Sequence, residues 1–89
     1  MEFRTIKELY ERVYPALYSK VKEIRRLGFR YINETDIWNY LAETTWKNRV
    51  NLELYELISD ILYVDNYKIN DYVTNKLKRI NKEEIITDI

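Results

Sequence analysis

The sequence predicts an all-α fold: a small single-domain helical bundle of about four helices, the first of them long and kinked at Pro15. Three observations carry this. The 89 residues include one Gly and one Pro, too few for a β-sandwich or barrel with a turn at every strand end. Apolar residues return at three- and four-residue intervals through most of the chain. Polar residues able to cap a helix precede most of these runs.

The first element is the clearest. Thr5-Ile6-Lys7-Glu8 matches a capping box, in which hydroxyl and carboxylate satisfy two open backbone N–H groups. Ile6, Leu9, Tyr10, Val13, Leu17, Val21, Ile24 and Leu27 then fall within about 120° of a helical wheel. Gly28 is a natural left-handed stop, so helix 1 is expected from Thr5 to Leu27. Pro15 lies inside it and removes the hydrogen bond to the Glu11 carbonyl. The stripe keeps its phase across Pro15, which favours one bent helix over two.

Asn33 and Thr35 are both possible caps for helix 2, which presents Ile37, Trp38, Leu41 and Thr45 on one face and ends near Trp46. Lys47-Asn48-Arg49-Val50 connects it to helix 3, with Asn51 as the expected cap. Leu54, Leu57, Ile58, Ile61, Leu62 and Val64 cover about 160° of helix 3, more than one neighbour can bury. Helix 3 is therefore expected at the centre. Asp65-Asn66 ends it. Ile69, Val73, Leu77 and Ile80 mark helix 4, with Asn70 as a plausible cap and basic residues loading its end. The expected organisation is a helical domain over residues 1–82 and a short acidic tail over 83–89. The expected core is Ile6, Leu9, Val13, Leu17, Ile24, Ile37, Trp38, Leu41, Leu54, Leu57, Ile58, Ile61 and Leu62.

The chain has no Cys and no His, which removes disulfides, thiol chemistry and the commonest metal ligand. Met1-Glu2-Phe3-Arg4 opens no apolar signal core, and no run approaches the roughly 18 apolar residues of a membrane span. A cytoplasmic protein without membrane insertion, cofactor or small-molecule substrate is expected. Glu53, Glu56 and Asp60 could suggest a metal or acid–base site. Carboxylate metal bundles, however, point their acids inward and add a Glu-x-x-His motif, whereas these three lie opposite the apolar face of helix 3. They read as a solvated acidic face, and the sequence argues against an enzyme.

Net charge is zero, but it is unevenly spread. Residues 1–49 carry ten basic against seven acidic residues, and residues 50–89 carry five against eight. Lys20, Lys22, Arg25, Arg26 and Arg30 crowd around a single acid, Glu23. Tyr14, Tyr18, Lys22 and Arg25 share one flank of helix 1, spanning about 80° away from the core. Aromatics beside cations suit unpaired RNA, by base stacking and by counterion release at phosphates. Tyr14, Tyr18, Lys20, Lys22, Arg25, Arg26 and Arg30 are therefore the candidate RNA-binding residues. A DNA-reading helix-turn-helix made of helices 2 and 3 is disfavoured, because the second helix would carry three acids into the major groove. A different reading is a protein-interaction adaptor, with Trp46, Lys47, Arg49, Glu53, Glu56 and Asp60 as the candidate contact surface. A monomer or weak dimer is expected.

The ordered series from Tyr10-Glu11-Arg12-Val13-Tyr14-Pro15-Ala16-Leu17-Tyr18-Ser19-Lys20 continues through Leu27-Gly28, Asp36-Ile37-Trp38 with Leu41, and Trp46-Lys47. It then runs through Leu54-Tyr55-Glu56-Leu57 and Asp60-Ile61-Leu62. The series resembles the ComN-like post-transcriptional regulator family of Gram-positive bacteria over roughly residues 6–72. The resemblance implies a small helical cytoplasmic protein without catalytic residues, acting on messenger RNA for competence functions. It also implies association with a coiled-coil scaffold at division sites or poles.

Overall fold

The computed structural model describes the backbone of residues 6–87 and the side chains of residues 6–77. Four helices follow one another: α1 (Ile6–Arg26), α2 (Glu34–Glu43), α3 (Leu54–Tyr63) and α4 (Asn66–Thr87). The proposed capping residue Thr5 lies outside the described residues. A single helix runs through Pro15, so the unbroken apolar stripe was the right guide.

Each boundary has a local cause. α1 ends in a Schellman motif: the Phe29 N–H donates to the Ile24 carbonyl (3.3 Å) and the Gly28 N–H to the Arg25 carbonyl (3.0 Å). Gly28 adopts φ +105°, a conformation costly for any residue with a Cβ. At α2 the Asn33 side chain accepts from the Asp36 N–H (3.1 Å), and the Asp36 carboxylate accepts from the Asn33 N–H (3.0 Å). This closed capping box satisfies two donors that the first turn leaves open.

Two expected caps are displaced. Asn51 is not the N-cap of α3. It takes the left-handed turn of the connection at φ +56°, which asparagine tolerates better than most residues, and Glu53 caps the helix. Asn70 lies inside α4, whose start is set by Asp65: its carboxylate accepts from the N–H groups of Tyr67 (2.8 Å) and Lys68 (3.3 Å). α4 then continues through residues 83–87 as one helix.

The core joins Val13, Leu17, Val21 and Ile24 of α1, Ile37 and Leu41 of α2, Leu57 and Ile61 of α3, and Ile69 and Val73 of α4. Leu9, Trp38, Leu54 and Ile58 pack against it half-buried. Ile32 is also fully buried, although it stands in the loop before α2. It occupies the position before the Asn33 cap and Ile37 the fourth helical position, the two places of a hydrophobic staple.

Two expected core residues are not core: Ile6 is 75% exposed and Leu62 41% exposed. α1 has 21 residues and its partners α2 and α3 have 10 each, about 31 Å against about 15 Å at the helical rise. The first turn of α1 overhangs, and Ile6 with it. For Leu62 the cause is the arrangement. α2, not α3, is the central element: it packs on α1, α3 and α4, while α3 packs chiefly on α1 and less on α2. α4 covers α2, so one flank of α3's wide apolar face stays in water.

Candidate nucleic-acid interface

Every fourth residue of α1 from Tyr10 to Arg26 lies in one row, since the helix returns to nearly the same side after four residues. The row reads Tyr10, Tyr14, Tyr18, Lys22, Arg26. Tyr10 is half-buried, its ring meeting Trp38 edge-on at 5.2 Å. Tyr14 and Tyr18 are 41% and 47% exposed, and their rings are near parallel, with centres 6.4 Å apart and 28° between planes. Lys22 Nζ lies 4.8 Å from the centre of the Tyr18 ring. One turn further, Lys22, Arg25, Arg26 and Arg30 are the described lining of an open cleft of about 740 Å³. Arg30 reaches it because the Gly28 turn folds the chain back at the end of α1.

Lys20 does not belong to this surface. It falls on the apolar stripe between Leu17 and Ile24 and is 4% exposed. Its ammonium donates to Glu23 at 2.6 Å and to the Leu62 carbonyl at 3.1 Å, satisfying a last-turn carbonyl that α3 leaves open. Glu23 also accepts from Asn66 Nδ2 at 3.1 Å. Hydrogen bonds from Lys20 and then from Asn66 hold its carboxyl below the ordinary value. The one acid among the five cations is thus committed to Lys20. Among the described residues no ion pair engages Lys22, Arg25, Arg26 or Arg30.

The candidate protein-binding residues form a different kind of cluster. The Trp46 indole N–H donates to Asp60 at 2.8 Å, and its ring meets Trp38 edge-on at 5.4 Å. Arg49 reaches the same Asp60 oxygen at 3.4 Å and Glu56 at 3.5 Å. Glu56 accepts from the Glu53 backbone N–H at 3.3 Å. Trp46, Arg49, Glu56 and Asp60 are therefore brought together, while Lys47 is exposed. The network staples the α2–α3 connection onto α3, so the expected acidic face is partly neutralised by Arg49.

Sequence reasoning missed a third feature. Tyr72 of α4 packs edge-on against Tyr40 at 5.6 Å. Burial, and then the Glu43 carboxylate beside it, push its hydroxyl up to about 12. The period-based search passed over Tyr72 because it lies beside, not within, the Ile69–Val73 stripe. Among the described residues no three His, Cys, Asp or Glu side chains gather as a metal site. No helix of the described residues is long and apolar enough to cross a membrane.

These features define a small all-α protein with an exposed aromatic and basic row on its first helix. The chain belongs to the post-transcriptional regulator family, which it matches over residues 6–85; this extends past Tyr72 well into α4. It is 40% identical over 68 residues to the post-transcriptional regulator ComN of Bacillus subtilis (strain 168), covering 75% of this chain and 69% of that protein. No solved structure matches the chain.

Proposed function

We propose that the protein regulates messenger RNA by direct, non-catalytic contact through the exposed row and cleft of α1. Tyr14, Tyr18, Lys22, Arg25, Arg26 and Arg30 carry the contact, and competence-type transcripts are the expected targets by family resemblance. The supporting observation is the cleft: four cations line it, no described acid does, and two exposed tyrosine rings stand next to it. Such a surface attracts a polyanion and offers stacking to unpaired bases.

An NMR titration with single-stranded RNA tests this. Amide shifts should concentrate in residues 14–30. If about four phosphates are engaged, log affinity should fall with log salt at a slope of about −3. Unperturbed spectra at low salt with several RNAs, competence transcripts among them, would sink direct contact.

The zero net charge supports a second reading, because tight RNA binders carry a clear basic excess. In that reading the protein is an adaptor in the cytoplasm, bound to a coiled-coil scaffold that enriches it at division sites. Lys47, Glu53 and the outer parts of the Trp46–Arg49–Asp60 cluster would be the contact surface. A pull-down cataloguing both protein and RNA separates the two readings.

A further inference from the structure

The ring centres of Tyr14 and Tyr18 are separated by nearly the distance that one intercalated base requires. Stacked bases lie about 3.4 Å apart, so one flat base sandwiched between two rings needs about 6.8 Å. The ring centres are 6.4 Å apart, short of that by about 0.4 Å. Both rings are exposed, so small χ rotations can relieve the 28° tilt. The preceding pair differs: Tyr10 and Tyr14 are 6.0 Å apart but inclined at 54°, and Tyr10 is held against Trp38. Of the two tyrosine pairs in the row, Tyr14–Tyr18 is the near-parallel one, and the gap between its rings is the candidate slot.

We infer that this slot clamps a single unpaired RNA base between Tyr14 and Tyr18, with the adjoining phosphates led into the Lys22–Arg30 cleft. The inference rests on the RNA reading above and sharpens it to single strands, with recognition that tolerates many sequences. Lys22 Nζ lies 4.8 Å from the centre of the Tyr18 ring, within reach of the phosphate next to a base held there. A base paired in a duplex is stacked on both faces and cannot enter. From Tyr14 to Arg26 the row runs about 18 Å at 1.5 Å per residue, room for about five nucleotides at the base step. The slot holds the base while the cleft holds the backbone.

The test uses the full chain and a single-stranded RNA octanucleotide with a central 2-aminopurine, whose emission is quenched by stacking. Its duplex with the complementary strand is the comparison. Binding should quench the probe, and the single strand should bind at least about tenfold tighter than the duplex. Tyr18→Ala should lower affinity about five- to 150-fold, which is one base–ring stack of about 1–3 kcal/mol converted at 1.4 kcal/mol per tenfold. Tyr18→Phe keeps the ring and should bind within about twofold of the parent. Circular dichroism checks that both variants fold, which the exposure of Tyr18 favours.

Equal affinity for duplex and single strand would overturn the clamp and leave the RNA reading standing. So would an unaffected Tyr18→Ala beside a weakened Lys22→Ala/Arg26→Ala double variant. Absence of binding by any RNA form at about 50 mM salt would overturn both, and leave this face to a protein partner.

Discussion

The α1 row and the α2–α3 staple are made from the same materials, aromatic rings next to charged groups, and they end in opposite states. At the staple, Trp46, Arg49, Glu56 and Asp60 satisfy one another. On the row, Tyr14, Tyr18 and four cations are exposed, and Glu23, the acid that lies among them in sequence, is committed to Lys20. The contrast narrows to two lysines on the same helix. Lys20 points inward and closes the end of α3, whereas Lys22, two residues on, sits over an exposed ring. Residue type alone does not separate a structural charge from an exposed one. Whether the fold brings it a partner does.

The comparison predicts that changes in the closed region cost stability, and that changes on the row leave stability intact and, under the proposed RNA contact, cost binding. The largest effect belongs to Ile61, fully buried in α3. Ile61→Ala should lose about 2–5 kcal/mol, read by urea unfolding, out of the roughly 5–10 kcal/mol expected of such a domain. Ile58→Ala, half-buried on the same helix, should lose less. Equal losses would mean that α3 is rotated from the orientation described.

Lys20→Ala strands the Leu62 carbonyl and removes a partner from Glu23, for about 1–3 kcal/mol. Lys22→Ala should stay within about 0.5 kcal/mol but reduce the salt dependence of RNA affinity by about one phosphate's share. If both variants destabilise alike, the division between the two regions fails. Trp46→Phe keeps an aromatic ring but loses the indole N–H and its bond to Asp60. About 1.5 kcal/mol is expected, with unchanged RNA affinity in a filter-binding assay.

The smallest effects appear at the extremes of pH. The Glu23 carboxyl is depressed below its ordinary 4.5, so its contribution is present above that value and fades as pH falls through the folded-state pKa. Glu23→Gln should flatten the acid side of a stability–pH curve. Tyr72 is the reverse case. Its pKa is raised from 10.0 to about 12, so its share of stability holds below pH 10 and is lost as pH climbs toward 12. In a phenolate absorbance titration one tyrosine should ionise late, and Tyr72→Phe should remove that step.

Much of the fold was legible where a local rule and the burial pattern agree. The stripe from Val13 to Ile24, the Gly28 stop and the Asn33 cap each rest on residues close in sequence. Ile32 escaped because helical periodicity does not score loop residues, though a staple search around Asn33 would have found it. Ile6 and Leu62 failed for a non-local reason: the wheel states which face is apolar, not how far the neighbouring helix extends. Within the candidate site, the i to i+4 row of Tyr14, Tyr18 and Lys22 could be read from spacing alone. The removal of Lys20 could have been suspected from its place on the apolar stripe. The contacts linking Arg49 and Trp46 to Asp60 depend on how the connection folds back, and no periodicity reports that.

The edge-to-face corner of Trp38 and Trp46 also determines what this molecule shows to light. Both indoles sit at one end of an unbroken file of rings, Trp46, Trp38, Tyr10, Tyr14 and Tyr18, with neighbouring centres 5.4, 5.2, 6.0 and 6.4 Å apart. At such separations excitation absorbed by the row's tyrosines passes to the indoles before it is emitted. Excited through its tyrosines, the protein therefore reports from Trp38 and Trp46 on what happens along α1. A base stacked on Tyr14 and Tyr18 would quench those rings by contact and so dim the tryptophan emission they feed, with no label attached.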